Sequence, residues 1–227
     1  NSRNIRRKSI PDTMFAWKCF IDKLSKEEAD KCALVLHTQP TDQNGTDLIA
    51  VRDYLFGDGY EGIIFSTNRL PINHMNLLYN SSDAQILLSS NEGWGLSLTE
   101  ALLVGNPIIA NVTGGMQDQL RFEDENGNWF TPDENIPSNH TGKYKKCGKW
   151  AFPVFPTNRS IQGSPKTPYI WDDRCSAEDA AEQIMKLYLM PKDKRQACGE
   201  EGLKWATGNE AGFTANIMGD RVINSVD

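Results

Sequence analysis

Residues 84–104 restrict most strongly what this chain can fold into. Ala84-Gln85-Ile86-Leu87-Leu88 is an apolar run of strand length, and Ser89-Ser90-Asn91-Glu92-Gly93-Trp94-Gly95 is a turn carrying two glycines. From Leu96 to Val104 the apolar residues then recur at helical spacing. A buried strand that passes through glycines into a helix is half of a βαβ unit, which confines the chain to α/β folds. The alternation recurs upstream, where 33–37 reads as a strand, 47–56 as a helix and 62–66 as a second strand. The expected fold class is therefore α/β, a Rossmann-like parallel sheet with helices on both faces.

The turn also carries chemistry. In open α/β sheets, ligands sit at the carboxyl ends of the strands, where the first amides of a helix point at an anion. The backbone N–H groups of Gly93, Trp94, Gly95 and Leu96 are so placed by the sequence. Glu92 and Glu100 would repel a phosphate, but a carboxylate accepts from two hydroxyls at once and so suits a sugar diol. The expected ligand carries both phosphate and sugar. The plainer reading makes Glu92 a solvated loop residue and Glu100 a first-turn acid favoured by the helix dipole.

The wider pattern favours the ligand reading. Glu92-Gly93-Trp94-Gly95-Leu96-Ser97, seven residues between the two acids, then Glu100-Ala101, Gly105-Asn106-Pro107-Ile108-Ile109-Ala110 and Gly114-Gly115 resemble the retaining nucleotide-sugar glycosyltransferases of GT-B fold, in their C-terminal donor-binding domain. Leu78-Tyr79-Asn80-Ser81-Ser82-Asp83-Ala84 is similar to that family's approach to the strand. The resemblance implies that Glu92, the first acid of the Glu-x7-Glu motif, contacts the donor sugar as the catalytic-site carboxylate, and that Glu100 contacts the ribose. It further implies that an Arg and a Lys with four residues between them hold the donor diphosphate, a spacing met by Arg3 and Lys8. Where the family has Gly after that Lys, this chain has Ser9. Arg3, Arg6, Arg7 and Lys8 also read simply as a solvated basic tract.

Composition limits the partners. With a formal net charge of −6 and no apolar run near membrane-spanning length, neither general nucleic-acid binding nor a membrane helix is expected. Five scattered cysteines fit a reducing, cytoplasmic setting, with the membrane surface as the other expected location, and show no metal-ligand spacing. His37, alone at a strand end, reads as a hydrogen-bonded structural residue. Residues 1–227 read as a single nucleotide-sugar-binding domain, with an irregular, proline-rich insertion at about 123–175 whose aromatics are expected to pack on the domain, and C-terminal helices at about 176–227. The chain is read as beginning just after the domain's first strand, with an amino-terminal domain elsewhere. The expected function is sugar transfer from a UDP- or GDP-sugar donor to an unidentified glycan, lipid or protein hydroxyl, without cofactor or metal. Two alternatives are a non-catalytic nucleotide-sugar-binding module and a nicotinamide-dependent oxidoreductase. The second is disfavoured because Gly93-Trp94-Gly95 lacks a third glycine and follows a late strand.

Overall fold

The computed structural model describes residues 1–130, 132, 136 and 138–225, with the side chain of 164 excepted. The chain enters through a 3-10 turn at Arg6–Lys8 and α1 (Ile10–Ile21), which opens on Pro11 with Asp12 in its first turn, both favoured at a helix start. A short α2 (Lys26–Ala29), held by a reciprocal Ser25/Glu28 capping box, leads to β1 (Leu34–His37). Then follow α3 (Leu48–Phe56), capped by Asp47, β2 (Ile63–Ser66), α4 (Ile72–Asn80) and β3 (Gln85–Leu87). The glycine turn connects β3 to α5 (Leu96–Leu102), followed by β4 (Ile108–Asn111) and α6 (Met116–Leu120). The strands and helices expected from the sequence thus lie within a residue or two of their places.

The stretch read as irregular is more ordered than its prolines and glycines suggested. Outside 131, 133–135 and 137, which are not among the described residues, it contains β5 (Ala151–Val154), β6 (Pro156–Ser164) and β7 (Thr167–Cys175). β5 extends the sheet beside β4 in parallel, while β6 and β7 form an antiparallel hairpin. Pro153 sits inside β5, whose partner β4 lies on one side, leaving the edge where a missing N–H is tolerated. The expected packing of aromatics holds for Trp150 and Phe152, which are buried, but Tyr169 stands exposed.

Three helices close the chain: α7 (Ala177–Leu189), capped by Ser176, α8 (Lys192–Thr207) and α9 (Ala215–Asn224). α8 lies so close to the loop after α5 that a Cβ on Gly199 would fall 1.8 Å from the Gly105 carbonyl oxygen.

The parallel pairing expected from the sequence holds. All the β1–β2, β3–β4 and β4–β5 pairs are parallel, but they form a two-stranded and a three-stranded sheet rather than one. β1 and β3 face each other without pairing. The core follows this division: Met14, Trp17, Phe20, Leu34, Leu36 and Leu48 pack around the first sheet, and Leu98, Leu102, Ile108, Met116, Phe122 and Trp150 around the second. Leu88, Ile109, Phe152 and Ala180 form a third cluster between β3–β5 and α7.

Candidate donor site

The glycine turn is built by close backbone approach. A Cβ on Gly115 would lie 2.2 Å from the Gly93 carbonyl oxygen, and one on Gly114 would lie 2.1 Å from that of Glu92. Gly115 N–H donates to Glu92 O at 3.1 Å, so the two glycine pairs lock face to face. Gly95 takes φ +89°, a left-handed conformation that costs a residue with a Cβ about 1–2 kcal/mol. The Trp94 indole N–H donates to Thr99 Oγ1 at 2.8 Å, Thr99 donates to Gln119 at 2.8 Å, and Gln119 Nε2 returns to Trp94 O at 2.6 Å. The ring of Trp94 meets Phe213 edge-on. Its side chain therefore braces the loop, leaving only its backbone for a ligand, and Leu96 exposes its side chain to solvent at the same edge.

The basic tract docks on this loop. Ser90 N–H donates to Arg7 O at 2.8 Å, tying the 3-10 turn to the residues before Glu92. Glu92 is buried, and its carboxylate pairs with Lys8 through Oε1, with Arg7 at 3.0 Å through Oε2, and accepts from Ser89 Oγ at 3.1 Å. Burial pushes its carboxyl up, but the Lys8 hydrogen bond and the charges of Lys8 and Arg7 outweigh it and hold Glu92 below the ordinary carboxylate value. Glu92 is thus an acceptor, not a proton donor.

Arg3 does not join this group. It forks onto Asp42 in the loop after β1, with Nε–Oδ2 of 2.7 Å and Nη2–Oδ1 of 3.2 Å. Arg7 takes the second place on Glu92, a role hidden in the sequence because four basic residues crowd into residues 3–8.

Ser9 follows Lys8 with φ +48° and ψ +40°, in the left-handed region that glycine enters freely. It is buried and its hydroxyl makes no cap bond, so among the described residues no side-chain bond offsets the strain. Ser9→Gly should therefore raise stability by about 0.5–1 kcal/mol, after the entropy cost of the unfolded glycine is set against ~1–2 kcal/mol of relieved strain. Urea denaturation checks this, and a loss of stability would contradict the strain argument.

Glu100 lies on α5. It is exposed, accepts from Tyr79 Oη at 2.5 Å, and has the Asn1 side-chain amide at 3.4 Å. Burial, followed by the bond to Glu100, raises the Tyr79 hydroxyl well above its ordinary value. Tyr79 was visible in the sequence only as part of the approach to β3. His37 behaves as expected, with Nδ1 2.9 Å from Ser66 Oγ.

A buried polar layer beneath the loop comes from the region read as an insertion. Asp173 N–H donates to Ser90 O at 2.8 Å, Thr113 Oγ1 to Asp173 Oδ2 at 2.7 Å, and Ser90 Oγ to Asp172. Asn111 Nδ2 reaches both Ser89 O and Asp173 O at 3.0 and 2.8 Å, and Asn91 Nδ2 reaches Trp171 O at 2.9 Å. The end of β7 therefore supports the Glu92 loop from below. No local pattern announces this, since the partners lie some sixty to eighty residues apart.

The arrangement gathers cations and a carboxylate at a glycine loop on the carboxyl edge of parallel strands. Residues 60–138 match the family model of the glycosyl transferases group 1. The match spans β2 to the loop after α6, including the whole glycine turn. An uncharacterized glycosyltransferase of Methanocaldococcus jannaschii is 28% identical over 96 residues, 42% of this chain and 24% of that protein. Among solved structures, an alpha,alpha-trehalose-phosphate synthase (UDP-forming) from Burkholderia vietnamiensis superposes with a TM-score of 0.61 at 14% identity, covering 99% of this chain and 43% of the synthase. The C-terminal domain of the group 1 glycosyl transferase LpcC from Francisella tularensis gives 0.55 at 17% identity, covering 91% of this chain and 82% of that domain. The fold is that of a GT-B glycosyltransferase C-terminal domain. The chain spans under half the length of the synthase and about a quarter of the archaeal relative. No helix among the described residues is long and apolar enough to cross a membrane.

Proposed function

We propose that the chain binds the donor of a sugar-transfer reaction, a nucleoside diphosphate sugar such as a UDP- or GDP-hexose, and that the transfer retains anomeric configuration. The observation that carries this reading is the convergence of Lys8 and Arg7 on Glu92 at the glycine loop. The diphosphate would draw Lys8 and Arg7 to its oxygens, with the amides of Gly93 to Leu96 beside them. Such preorganised positive groups stabilise the negative charge that grows on a leaving diphosphate. Glu92, kept ionised, would accept from the sugar hydroxyls, and Glu100 from the ribose diol. Arg3 would reach the diphosphate only by leaving Asp42. A trehalose-6-phosphate protein from E. coli of the same fold is described as bound with UDP-2-fluoro glucose, which supports a nucleotide sugar as the ligand class. The acceptor, a hydroxyl of a glycan, lipid or protein, and an amino-terminal domain to hold it are parts of the same proposal. A binding module without chemistry would share the donor site and differ in turnover alone.

The two glutamates separate the ends of the ligand. Glu100→Gln should weaken a nucleoside diphosphate and its sugar conjugate alike, by roughly ten- to a hundredfold, the cost of a charge-assisted hydrogen bond. Glu92→Gln should weaken the conjugate more than the free diphosphate. Calorimetric titration of both ligands into both variants gives the four affinities. Equal weakening of both ligands by Glu92→Gln would remove Glu92 from the sugar.

A further inference from the structure

The main-chain carbonyls of the glycine turn all point one way, into the protein. Glu92 O accepts from Gly115 N–H at 3.1 Å, and Gly93 O lies against Gly115, where an added Cβ would fall 2.2 Å from it. Trp94 O and Gly95 O both accept from Gln119 Nε2, at 2.6 and 3.3 Å. The peptide bonds here are trans, so each N–H points opposite to the carbonyl of the residue before it. The N–H groups of Gly93, Trp94, Gly95 and Leu96 therefore turn outward. Among the described residues none of the four donates to another protein group.

The two halves of the turn are held differently. Close packing on the Gly115 backbone fixes the first two peptide planes, whereas a single side chain, that of Gln119, grips the last two. Gln119 is fully buried on α6. The hydrogens allow its amide one orientation. The Trp94 indole N–H is a donor alone, so Thr99 Oγ1 accepts it and must give its own hydrogen to Gln119 Oε1, each bond at 2.8 Å. That leaves the Nε2 hydrogens for the Trp94 and Gly95 carbonyls. The cycle begins and ends on Trp94, and Trp150 Nε1–H, donating to Gln119 O at 3.1 Å, anchors the main chain beneath it.

We propose that Gln119 is a positioning residue for the donor: by holding the Trp94 and Gly95 carbonyls inward, it aims the Gly95 and Leu96 N–H groups at the donor diphosphate. Successive outward amides form a concave site of positive potential for an anion, and they act best when fixed before the ligand arrives. Without Nε2, Trp94 O would have no donor among the described residues, a costly state for a carbonyl turned inward. Its peptide plane would then be free to rotate and carry the Gly95 N–H away from the ligand. Gln119, being fully buried, acts only through this backbone. It lies beyond Gly114-Gly115, where the glycine motif ends, and twenty residues from its partner Thr99. The inference rests on the donor reading.

Titration of UDP and of inorganic pyrophosphate into wild type and two variants tests it. Gln119→Met keeps the length of the side chain and removes both polar ends. It should stay folded by far-UV circular dichroism and bind both ligands at least about tenfold more weakly. Gln119→Glu carries a donor only while protonated, so its affinity relative to wild type should be near one at about pH 5 and fall roughly tenfold by about pH 8. A side chain that only filled space would give no such profile. The charged groups nearby are Asp118, pushed up to about 6 by burial, Arg121 on the same stretch of chain, and Glu100 next to Thr99. All three are present in wild type, so the ratio of affinities isolates residue 119. The Gln119→Glu series also covers the case in which Gln119→Met fails to fold. A folded Gln119→Met with wild-type affinity, or a Gln119→Glu ratio that is the same at both pH values, would overturn the role of Gln119 and leave the donor reading standing. Absence of binding by wild type would instead strike the donor reading, and this role with it.

Discussion

Gly115→Ala should abolish donor binding while leaving the fold in place, a loss of at least about a hundredfold, since a displacement of one ångström at a positioning loop has effects of that size. Gly115 has φ −67°, which alanine adopts without strain, so the variant adds only a methyl group. That methyl would lie 2.2 Å from Gly93 O and 2.9 Å from Trp94 Cα. Both are backbone atoms, so relief requires the Glu92–Trp94 turn to move. The stability cost should be about 1–3 kcal/mol, the usual range for overpacking. Far-UV circular dichroism together with titration of a nucleoside diphosphate separates loss of binding from loss of fold. Unchanged affinity would show that the turn does not touch the ligand.

Lys8→Ala should be the most costly change in the basic tract. It removes a cation from a buried carboxylate and leaves Glu92 with Arg7, whose side chain is 44% exposed. Removing one partner of a buried pair costs about 3–5 kcal/mol when nothing replaces it; with Arg7 still present we expect roughly 2–3 kcal/mol. The pH dependence has a definite sign. A carboxyl held below its ordinary value of 4.5 contributes stability above that value and loses it as the pH falls through its folded value. The difference between wild type and Lys8→Ala should therefore be largest near pH 7 and shrink as the pH falls below 4.5 through the folded value. Adding Glu92→Gln should restore part of the loss, because the uncompensated charge is then gone. Denaturant titrations at pH 7 and pH 4 check both statements, and a pH-independent difference would place the effect of Lys8 in packing instead. Arg3→Ala, by contrast, breaks only a solvent-facing fork to Asp42 and should leave stability almost unchanged.

The contrast between Lys8 and Arg3 shows where sequence reasoning succeeds. Strand, glycine turn and helix from Gln85 to Leu102 are written in local spacing, and the structure places them as that spacing directs. Glu92 and Lys8 are legible because residue type and motif coincide. Arg7 is not, because a tract with several basic residues does not say which of them turns inward. Ser9 carried its signal as an exception, a residue with a Cβ in a conformation suited to glycine.

The region from 123 to 175 was misread for a different reason. β5 has no alternation because most of its residues are buried, and prolines within β5, β6 and β7 hide strands whose geometry tolerates them at edges and ends. The support that Asp172 and Asp173 give to Ser90 depends on tertiary contact alone. The division of the sheet likewise has no local signature, since β1 and β3 are each ordinary strands and only their failure to pair distinguishes them.

Calorimetric titration of the 227-residue chain with UDP and GDP, at low and at physiological salt, tests the donor site most directly. A single site with a dissociation constant at or below about 1 mM for at least one of them, weakened by salt and lost in Lys8→Ala, is the expected result. Absence of binding by both nucleoside diphosphates and by their hexose conjugates would contradict it.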